Sequence, residues 1–384
     1  MGRKADSYAG GIKDGIFNLT DISAYFLHKS RAGESSLLSD QTCSDLGMEE
    51  LFTFADRTVS RVGQQYLYHT LRTISQAAGE IEQNEEIIGH LQTDSNLRNR
   101  LAKDLSRMQD TEAYSIVRLL SDEQPAVFQN RKIETVYRFV GLADCLLSVC
   151  FLREHLPYYC LPEKPGEGHR LVSESMYHPL IEDCVANSID IQDKSVLLNG
   201  SNMSGKTTFI RIIGINVLAA QTLHTAFART FFLSASLNIH SALMLADDLS
   251  EGKSFYMKEV DTIKDMISRS QEGITNLFLF DEIFKGTNTT ERIAAAKAVL
   301  SYLNTRDNII VASTHDTELT TLLDKEYDLY HFSEVIEGET FSFDYKLKSG
   351  PLYQRNAIRL LEINGFPSAV IRDAYRTIEG MTKQ

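Results

Sequence analysis

Residues 200–208 read GSNMSGKTT and follow directly on the apolar run SVLLN at 195–199. The stretch matches the pattern GxxxxGK[ST], in which glycines let consecutive backbone N–H groups turn toward phosphate oxygens. It lies between a predicted strand and the predicted helix KTTFIRIIGINVLAA, as a phosphate-binding loop requires. The stretch therefore predicts a nucleotide site built from these residues: Gly200, Ser201, Asn202, Met203, Ser204, Gly205, Lys206, Thr207 and Thr208.

Three positions outside the loop, Asp281, Glu282 and His315, complete the predicted chemistry. Thr207 and Asp281, the latter at the end of the apolar run LFLFDE, are predicted to hold Mg²⁺. Lys206 carries charge to the β- and γ-phosphates, Glu282 orients and deprotonates the attacking water, and His315 in VASTHD senses the γ-phosphate. An acidic pair at a strand end, or a lone histidine, is more often structural. The phosphate loop upstream favours the catalytic interpretation.

The pattern along the chain predicts two halves. Apolar residues recur every three or four positions from about 17 to 156, which indicates a helical domain. PYYCLPEKPGEGHR reads as a connector, and short apolar runs then alternate with helical stretches, as in a mainly parallel sheet covered by helices. DLYHFSEVIEGETFSFDYKLK predicts a hairpin about the turn EGET, and the tail predicts two helices joined at residues 364–367.

Composition narrows the setting of the protein. Lys and Arg total 39 against 52 Asp and Glu, a net charge of -13, so contact with DNA would need a local basic patch. Five cysteines without a CxxC pair argue against a disulfide framework or structural zinc. The N-terminus does not read as a signal peptide, and FVGLADCLLSVCFL is too short to span a bilayer. These features predict a cytoplasmic protein without a membrane segment.

Several motifs together resemble the MutS family of DNA mismatch-repair ATPases. GSNMSGKTT resembles the family's GPNMGGKST, FLFDEIFKGTNTTE resembles MDEIGRGTST, and ASTHDTELT resembles ATHYFELT. YHPLIE, DDLSEGKSFYMKE and the NGFP turn keep the family's order and spacing, so the resemblance covers about residue 175 to the C-terminus. LFTFADRTVSRVGQQYLYHTLRT is similar to a segment of the family's helical core, or lever, domain.

The resemblance implies an ABC-type P-loop ATPase that binds ATP and Mg²⁺ at composite sites of a homodimer. Ser254 would then contact the γ-phosphate held by the partner subunit, although a helix N-cap is the plainer interpretation of this serine. The loop at 286–289 would couple the two sites. Val185 and Tyr345 fall at positions that face adenine, whereas Cys184 replaces the family's usual aromatic residue and leaves base selectivity open.

The resemblance also gives the expected domain organisation. Residues 1–16 are predicted to be a flexible N-terminus, 17–160 a helical core/lever-like domain, 161–174 a connector, 175–355 the ATPase domain, and 356–384 a C-terminal helix-turn-helix segment for dimerisation. Family members that sense mismatches also carry a Phe-x-Glu wedge and a helical clamp. A chain of 384 residues has no room for either part, so neither is expected here, and the two Phe-x-Glu triplets, at 280–282 and 332–334, lie inside the predicted ATPase half.

Two functional hypotheses remain. The first is a MutS-like ATPase that moves its helical domains on mismatched or branched DNA, with the basic runs NLRNRLAKDLSR and QNRKIETVYR as candidate phosphate contacts. A solvated helix face balanced by acids is the more common explanation of such runs. The second hypothesis is an ATP-driven switch for a protein partner, without DNA contact. The subunit of an ABC transporter is disfavoured, because GKSFYMKE replaces the usual LSGGQ helix.

Overall fold

A computed structural model gives the fold of the protein. It describes residues 11, 13, 17–31, 37–74, 79–120, 130–163, 170–201, 203–244, 255–272, 274–304, 308–337, 340–352 and 357–381.

Helices fill the described part of the chain up to residue 154. Polar side chains start several of them: Ser39 accepts a hydrogen bond from the N–H of Thr42, and Ser60 accepts one from the N–H of Gly63. Two 3-10 helices, at Ser106–Met108 and Thr111–Leu120, separate the last two α-helices of this region. The α-helices are α1 Leu19–Ile22, α2 Ala24–Arg31, α3 Asp40–Leu46, α4 Met48–Ala55, α5 Arg61–Arg72, α6 Glu80–Thr93, α7 Ser95–Leu105 and α8 Asn130–Glu154.

The rest of the described chain alternates strands and helices. The strands are β1 Leu171–Met176, β2 Asn187–Ile191, β3 Ser195–Gly200, β4 Thr230–Leu233, β5 Asn238–Ala242, β6 Asn276–Asp281, β7 Ile309–Thr314, β8 Tyr327–Phe332, β9 Glu334–Glu337, β10 Thr340–Phe343 and β11 Lys348–Ser349. The helices are α9 Lys206–Thr222, α10 Phe255–Arg269, α11 Thr289–Leu303, α12 Thr317–Leu322, α13 Ala357–Ile363 and α14 Ser368–Met381.

The central sheet has six strands in the order β11-β8-β3-β7-β6-β5. The five longer strands run parallel, and only the short edge strand β11 is antiparallel. Every residue of β3 and β7 is buried, as expected for strands covered on both faces by helices. The apolar runs at 195–199, 277–281 and 309–312 thus form the predicted mainly parallel sheet.

Two parts of the strand pattern differ from the prediction. Residues 328–332, expected in the first arm of a hairpin, instead pair in parallel with β3, and only β9 and β10 form the hairpin. A three-stranded antiparallel sheet, in the order β2-β1-β4, was not predicted. Its first strand begins at Leu171, inside the segment expected to be a connector. Both differences arise because strand pairing depends on residues far apart in the chain, which local patterns do not report.

Helix α9 joins the helical region to the central sheet. It is buried on all sides, a pattern typical of a helix inside a core. A Cβ atom on Gly214 would lie 2.6 Å from Leu46 of α3 and 2.8 Å from Leu279 of β6, so only glycine lets all three elements approach this closely. One continuous cluster of buried apolar side chains extends from the helical region through α9 to the sheet. The two predicted halves therefore share a core.

A buried carboxylate fastens α3 to the end of β5. Asp45 is completely buried, and its Oδ2 accepts hydrogen bonds from the hydroxyl of Ser241 at 2.6 Å and the N–H of Leu243 at 3.0 Å. Its Oδ1 accepts from the N–H of Met244 at 2.9 Å and from the amide of Gln41 at 2.9 Å. Four donors satisfy the carboxylate, as burial of a charge requires. Donors from both halves of the chain thus meet on one side chain.

A second buried carboxylate joins α8 to the start of α5. Asp144 accepts hydrogen bonds from the N–H of Val59 at 2.9 Å and from the N–H and hydroxyl of Ser60, both at 2.6 Å. Burial raises the pKa of Asp144 to about 6, although these hydrogen bonds and the charge of Lys13 act in the opposite direction. Gly63 faces the carboxylate so closely that a Cβ atom would lie 2.0 Å from Oδ2. The contact of α5 with α8 depends on that glycine.

Helix α8 is the one described helix whose length and hydropathy would allow it to cross a membrane. Of the apolar window within Lys132–Glu154, 61% is buried inside the protein. That burial is characteristic of a core helix, and the apolar side chains of its C-terminal half belong to the shared core.

Candidate nucleotide site

The predicted phosphate-binding, metal-binding and catalytic residues that the structure describes lie at the carboxyl end of the central sheet, where ligands of parallel α/β sheets bind. The phosphate loop leaves β3, Asp281 ends β6, and His315 follows β7. Since β7 lies between β3 and β6, the three segments meet at the same edge. The fold thus brings together groups that are up to 115 positions apart in the sequence.

The phosphate loop has the backbone that its glycines predict. Gly200 has a φ of 148°, and a Cβ atom there would lie 2.4 Å from the carbonyl oxygen of Phe332. Gly205 has a φ of 104° and begins α9. Lys206 is 5% exposed, and its ammonium donates to the carbonyl oxygens of Gly200 at 2.9 Å and Ser201 at 2.8 Å. The lysine therefore lies folded over the loop that it is predicted to serve.

The two predicted metal ligands, Thr207 and Asp281, are hydrogen-bonded to each other. The hydroxyl of Thr207 donates to Oδ2 of Asp281 at 2.8 Å, and the hydroxyl of Ser313 donates to Oδ1 of the same carboxylate. Asp281 and Ser313 are paired residues in the parallel register of β6 and β7. A hydroxyl and a carboxylate are hard oxygen donors of the kind that Mg²⁺ prefers, so these residues fit the predicted ion.

Glu282 lies next to this pair and is bonded to His315. Its carboxylate contacts Nε2 of His315, and Nζ of Lys285 lies 3.7 Å from Oε2. Burial raises the pKa of Glu282, but the hydrogen bond and charge of His315 and the charges of Lys285 and Lys206 outweigh burial, so its pKa is lowered. The carboxylate is therefore ionised at neutral pH, the form that can accept a proton from water.

A salt bridge fixes the segment that carries His315. Nε and Nη2 of Arg292 donate to the two oxygens of Asp316 at 2.9 and 2.6 Å, in the bidentate geometry that orients both side chains. Arg292 belongs to α11 and Asp316 precedes α12. Both also line a cavity of about 310 Å³ together with Glu282, Lys285 and His315. The charged side chains beside the phosphate loop are thus held by their neighbours.

Of the predicted base-binding residues, Tyr345 lies beside the phosphate loop, and Asn187 links Tyr345 to Val185. Its side-chain amide donates to the carbonyl oxygens of Val185 at 3.1 Å and Tyr345 at 2.9 Å. Tyr345 has a φ of 52°, is 46% exposed, and has Cδ1 3.2 Å from the position of a Cβ atom on Gly205. An exposed aromatic ring beside the loop is suited to stacking on a base. Cys184 accepts a hydrogen bond from the N–H of His178 at 3.3 Å.

The remaining predicted residues divide into two groups. Ser204 is buried in the loop, Met203 is 84% exposed with a φ of 65°, and Thr208 lies in the first turn of α9. Asn202 and Ser254 lie outside the described residues.

Ser313 and Asn187 were not among the predicted site residues. Both stand in motifs that the sequence makes visible, ASTHDTELT and Val185-Ala186-Asn187. Their contacts with Asp281 and Tyr345 depend on the fold, however, because they join residues 32 and 158 positions apart.

One of the candidate DNA-binding runs contributes to structure. Arg98 of α7 donates to Oε1 of Glu154 at 2.7 Å, and its side chain is 17% exposed. Arg107 in the same run lies 3.6 Å from Asp104, in an exposed pair. At least these two arginines are therefore matched with acids of the protein itself.

Comparison with known proteins agrees with the motifs. The family described as MutS domain V matches residues 196–382. The DNA mismatch repair protein MutS of Listeria monocytogenes serotype 4a is 30% identical over 261 residues, which cover 65% of this chain and 30% of that protein. MutS of Thermotoga petrophila is 30% identical over 223 residues, covering 56% of this chain and 28% of the relative. MutS of Thermus aquaticus is 28% identical over 221 residues, which cover 57% of this chain and 27% of that protein.

The chain thus spans less than a third of the length of the curated relatives that it matches. The matched region contains the phosphate loop, the acidic pair and His315, whose side chains the fold assembles at one edge of the sheet. These findings, taken together, identify residues 196–382 as domain V of the MutS family.

Proposed function

We propose that the protein is a MutS-like ATPase that binds Mg-ATP in the 200–208 loop and hydrolyses it. The single observation that carries this proposal is the meeting of three groups: Thr207 bonded to Asp281, Glu282 paired with His315, and Lys206 folded over the phosphate loop. Nucleotide-binding, metal-binding and proton-accepting groups are all required for hydrolysis of a phosphoanhydride, and all three lie at one edge of the sheet.

Each group has a separate role in the proposed reaction. Lys206 would exchange its two carbonyl partners for phosphate oxygens. Thr207 and Asp281 would hold Mg²⁺, which when bound neutralises charge on the phosphates. Glu282, ionised and oriented by His315, would accept the proton of the attacking water, and His315 would also contact the γ-phosphate. Tyr345 would stack on the adenine ring.

A homodimer with composite sites is part of the proposal. Exposed apolar side chains of the C-terminal segment support it: Phe366 lies in the turn between α13 and α14, Val370 and Ile378 lie two turns apart on α14, and all three are 47–49% exposed. Exposed apolar side chains at this spacing are suited to packing against another subunit. In that assembly Ser254 would reach the partner's nucleotide, and the loop at 286–289 would couple the two sites.

The helical region would act as the core/lever domain that transmits movement to DNA. The shared core and the bonds of Asp45 to the end of β5 support mechanical coupling between that region and the sheet. The proposed substrate is mismatched or branched DNA, in mismatch repair or recombination, in the cytoplasm. A switch acting on a protein partner is the second candidate, favoured by the net charge of -13 and by the internal pairing of Arg98.

ATP hydrolysis by the purified chain tests both candidates. The rate would be measured with and without single-stranded, duplex, mismatched and branched DNA at about 0.15 M salt. We expect hydrolysis in the presence of Mg²⁺, increased by one form of DNA. If none of the DNA forms changed the rate, the switch acting on a protein partner would be the favoured function. The absence of both ATP binding and hydrolysis would refute the ATPase function itself.

A further inference from the structure

Helix α10 contacts the loop that carries Glu282 through a buried carboxylate. Glu259 of α10 is 4% exposed, and its Oε1 accepts a hydrogen bond from the backbone N–H of Phe284. Its Oε2 is also buried and has no hydrogen-bond partner among the residues that the structure describes. A buried carboxylate with so few partners is costly. The hydrogen bond to Phe284 is therefore the contact that offsets part of this cost.

The loop that Glu259 holds has an unusual backbone. Glu282 and Phe284 have φ values of 59° and 62°, in the left-handed region that residues with a Cβ atom rarely adopt. Such residues keep this conformation only where surrounding contacts hold them. The N–H of Glu282 donates to the carbonyl oxygen of Ser313 at 3.2 Å, and the N–H of Phe284 donates to Glu259. These two bonds fix both ends of the turn that directs the Glu282 side chain.

Packing attaches the same loop to the start of α10. A Cβ atom on Gly286 would lie 3.1 Å from Cβ of Tyr256, and the rings of Tyr256 and Phe284 are 6.3 Å apart. Ile283 and Phe284 also belong to the buried cluster beneath α10. The 282–286 loop and the first turns of α10 therefore pack as one unit, with Glu259 as their polar connection.

We propose that Glu259 is a positioning residue for hydrolysis. Its carboxylate holds the 282–286 loop so that Glu282 is presented to the phosphate loop, and it passes movements of α10 to that catalytic side chain. Glu259 does not itself reach the phosphates in this role. The inference rests on the proposed ATPase function.

Three variants separate positioning from general stability. Glu259→Met keeps the length of the side chain but removes the oxygen acceptor, so it fills the same space. Glu259→Gln keeps one oxygen that can accept the N–H of Phe284. Asp265→Asn is the control, because Asp265 lies on the same helix in an exposed pair with Arg269.

We expect Glu259→Met to lower kcat about 10- to 100-fold, the effect of a misplaced catalytic group, with the KM and Kd for ATP unchanged. Glu259→Gln should recover most of the rate, and Asp265→Asn should match the original protein. Hydrogen exchange of the peptide spanning 281–287 should be faster in Glu259→Met alone. Full activity of Glu259→Met, or equal losses in the Met and Gln variants, would overturn the proposal.

The exchange measurement does not require turnover, so it distinguishes this inference from the proposed function. If the original protein did not hydrolyse ATP, the ATPase proposal would fail. Faster exchange of the 281–287 peptide in Glu259→Met would still support the role of Glu259 in holding the loop. Unchanged exchange in that variant would refute that role, whatever the protein does with ATP.

Discussion

Replacing Gly63 with alanine should destabilise the helical region through Asp144. The new Cβ atom would lie 2.0 Å from Oδ2 of Asp144 and 2.4 Å from its Cγ, so the carboxylate must move. That carboxylate accepts three hydrogen bonds, from Val59 and Ser60. A hydrogen bond to a charged group contributes about 1.5–3 kcal/mol. Loss of two of these three hydrogen bonds would lower the free energy of unfolding by about 3–6 kcal/mol. Alanine favours a helix over glycine by about 1 kcal/mol, so the net loss of stability is about 2–5 kcal/mol.

Urea denaturation followed by circular dichroism would measure this loss. Gly89→Ala is the matched control, because Gly89 lies inside α6 and a Cβ atom there would have no neighbour within 4 Å. The control should gain up to about 1 kcal/mol from helix propensity. If both variants unfolded at the same urea concentration, the inference that α5 and α8 pack too closely for a side chain at position 63 would be refuted.

Three further predictions concern the site and the core. Lys206→Ala should weaken ATP binding at least about tenfold, because it removes a charged hydrogen bond to phosphate. The control Lys297→Ala, on α11, should leave the affinity unchanged, and isothermal titration calorimetry would measure both. Glu282→Gln should bind ATP normally but hydrolyse it about 10²- to 10⁴-fold more slowly in a phosphate-release assay, and a normal rate would exclude Glu282 as the base. The third prediction concerns Asp144, whose pKa in the folded protein is raised from the ordinary value of 3.8 to about 6. The folded state therefore holds the proton more tightly than the unfolded state, so the contribution of Asp144 to stability is fully present below pH 3.8 and is lost as the pH rises through 6. Relative to Asp144→Asn, the original protein should therefore be more stable at pH 4 than at pH 7 by on the order of 3 kcal/mol, and a difference independent of pH would contradict the raised pKa.

The central strands and the conformation of the 200–208 loop could be predicted because their signals are local. The runs at 195–199 and 277–281 are long enough in apolar residues to indicate buried strands, and the spacing of Gly200, Gly205 and Lys206 predicts a tight loop that leads into a helix. The acidic pair could be placed at the same edge because parallel strands end together.

Other parts of the site depend on partners that a local pattern does not identify. Glu259 reads as an ordinary position of an amphipathic helix, and only the fold brings it to Phe284, 25 residues away. The run at 328–332 alternates as a hairpin arm would, yet it pairs with β3, more than a hundred residues earlier. Periodicity reports which face of an element is buried but not what that face meets.

The bonds of Asp45 limit how this protein can exchange parts with its relatives. The acceptor comes from α3, whereas the hydroxyl of Ser241 and the amides of Leu243 and Met244 come from the other half of the chain. A chimera that joined the sheet-containing half of this chain to a foreign helical half without a carboxylate at the position of Asp45 would leave those buried donors without an acceptor. Recombination between homologues should therefore succeed only where both sides of this joint are inherited together.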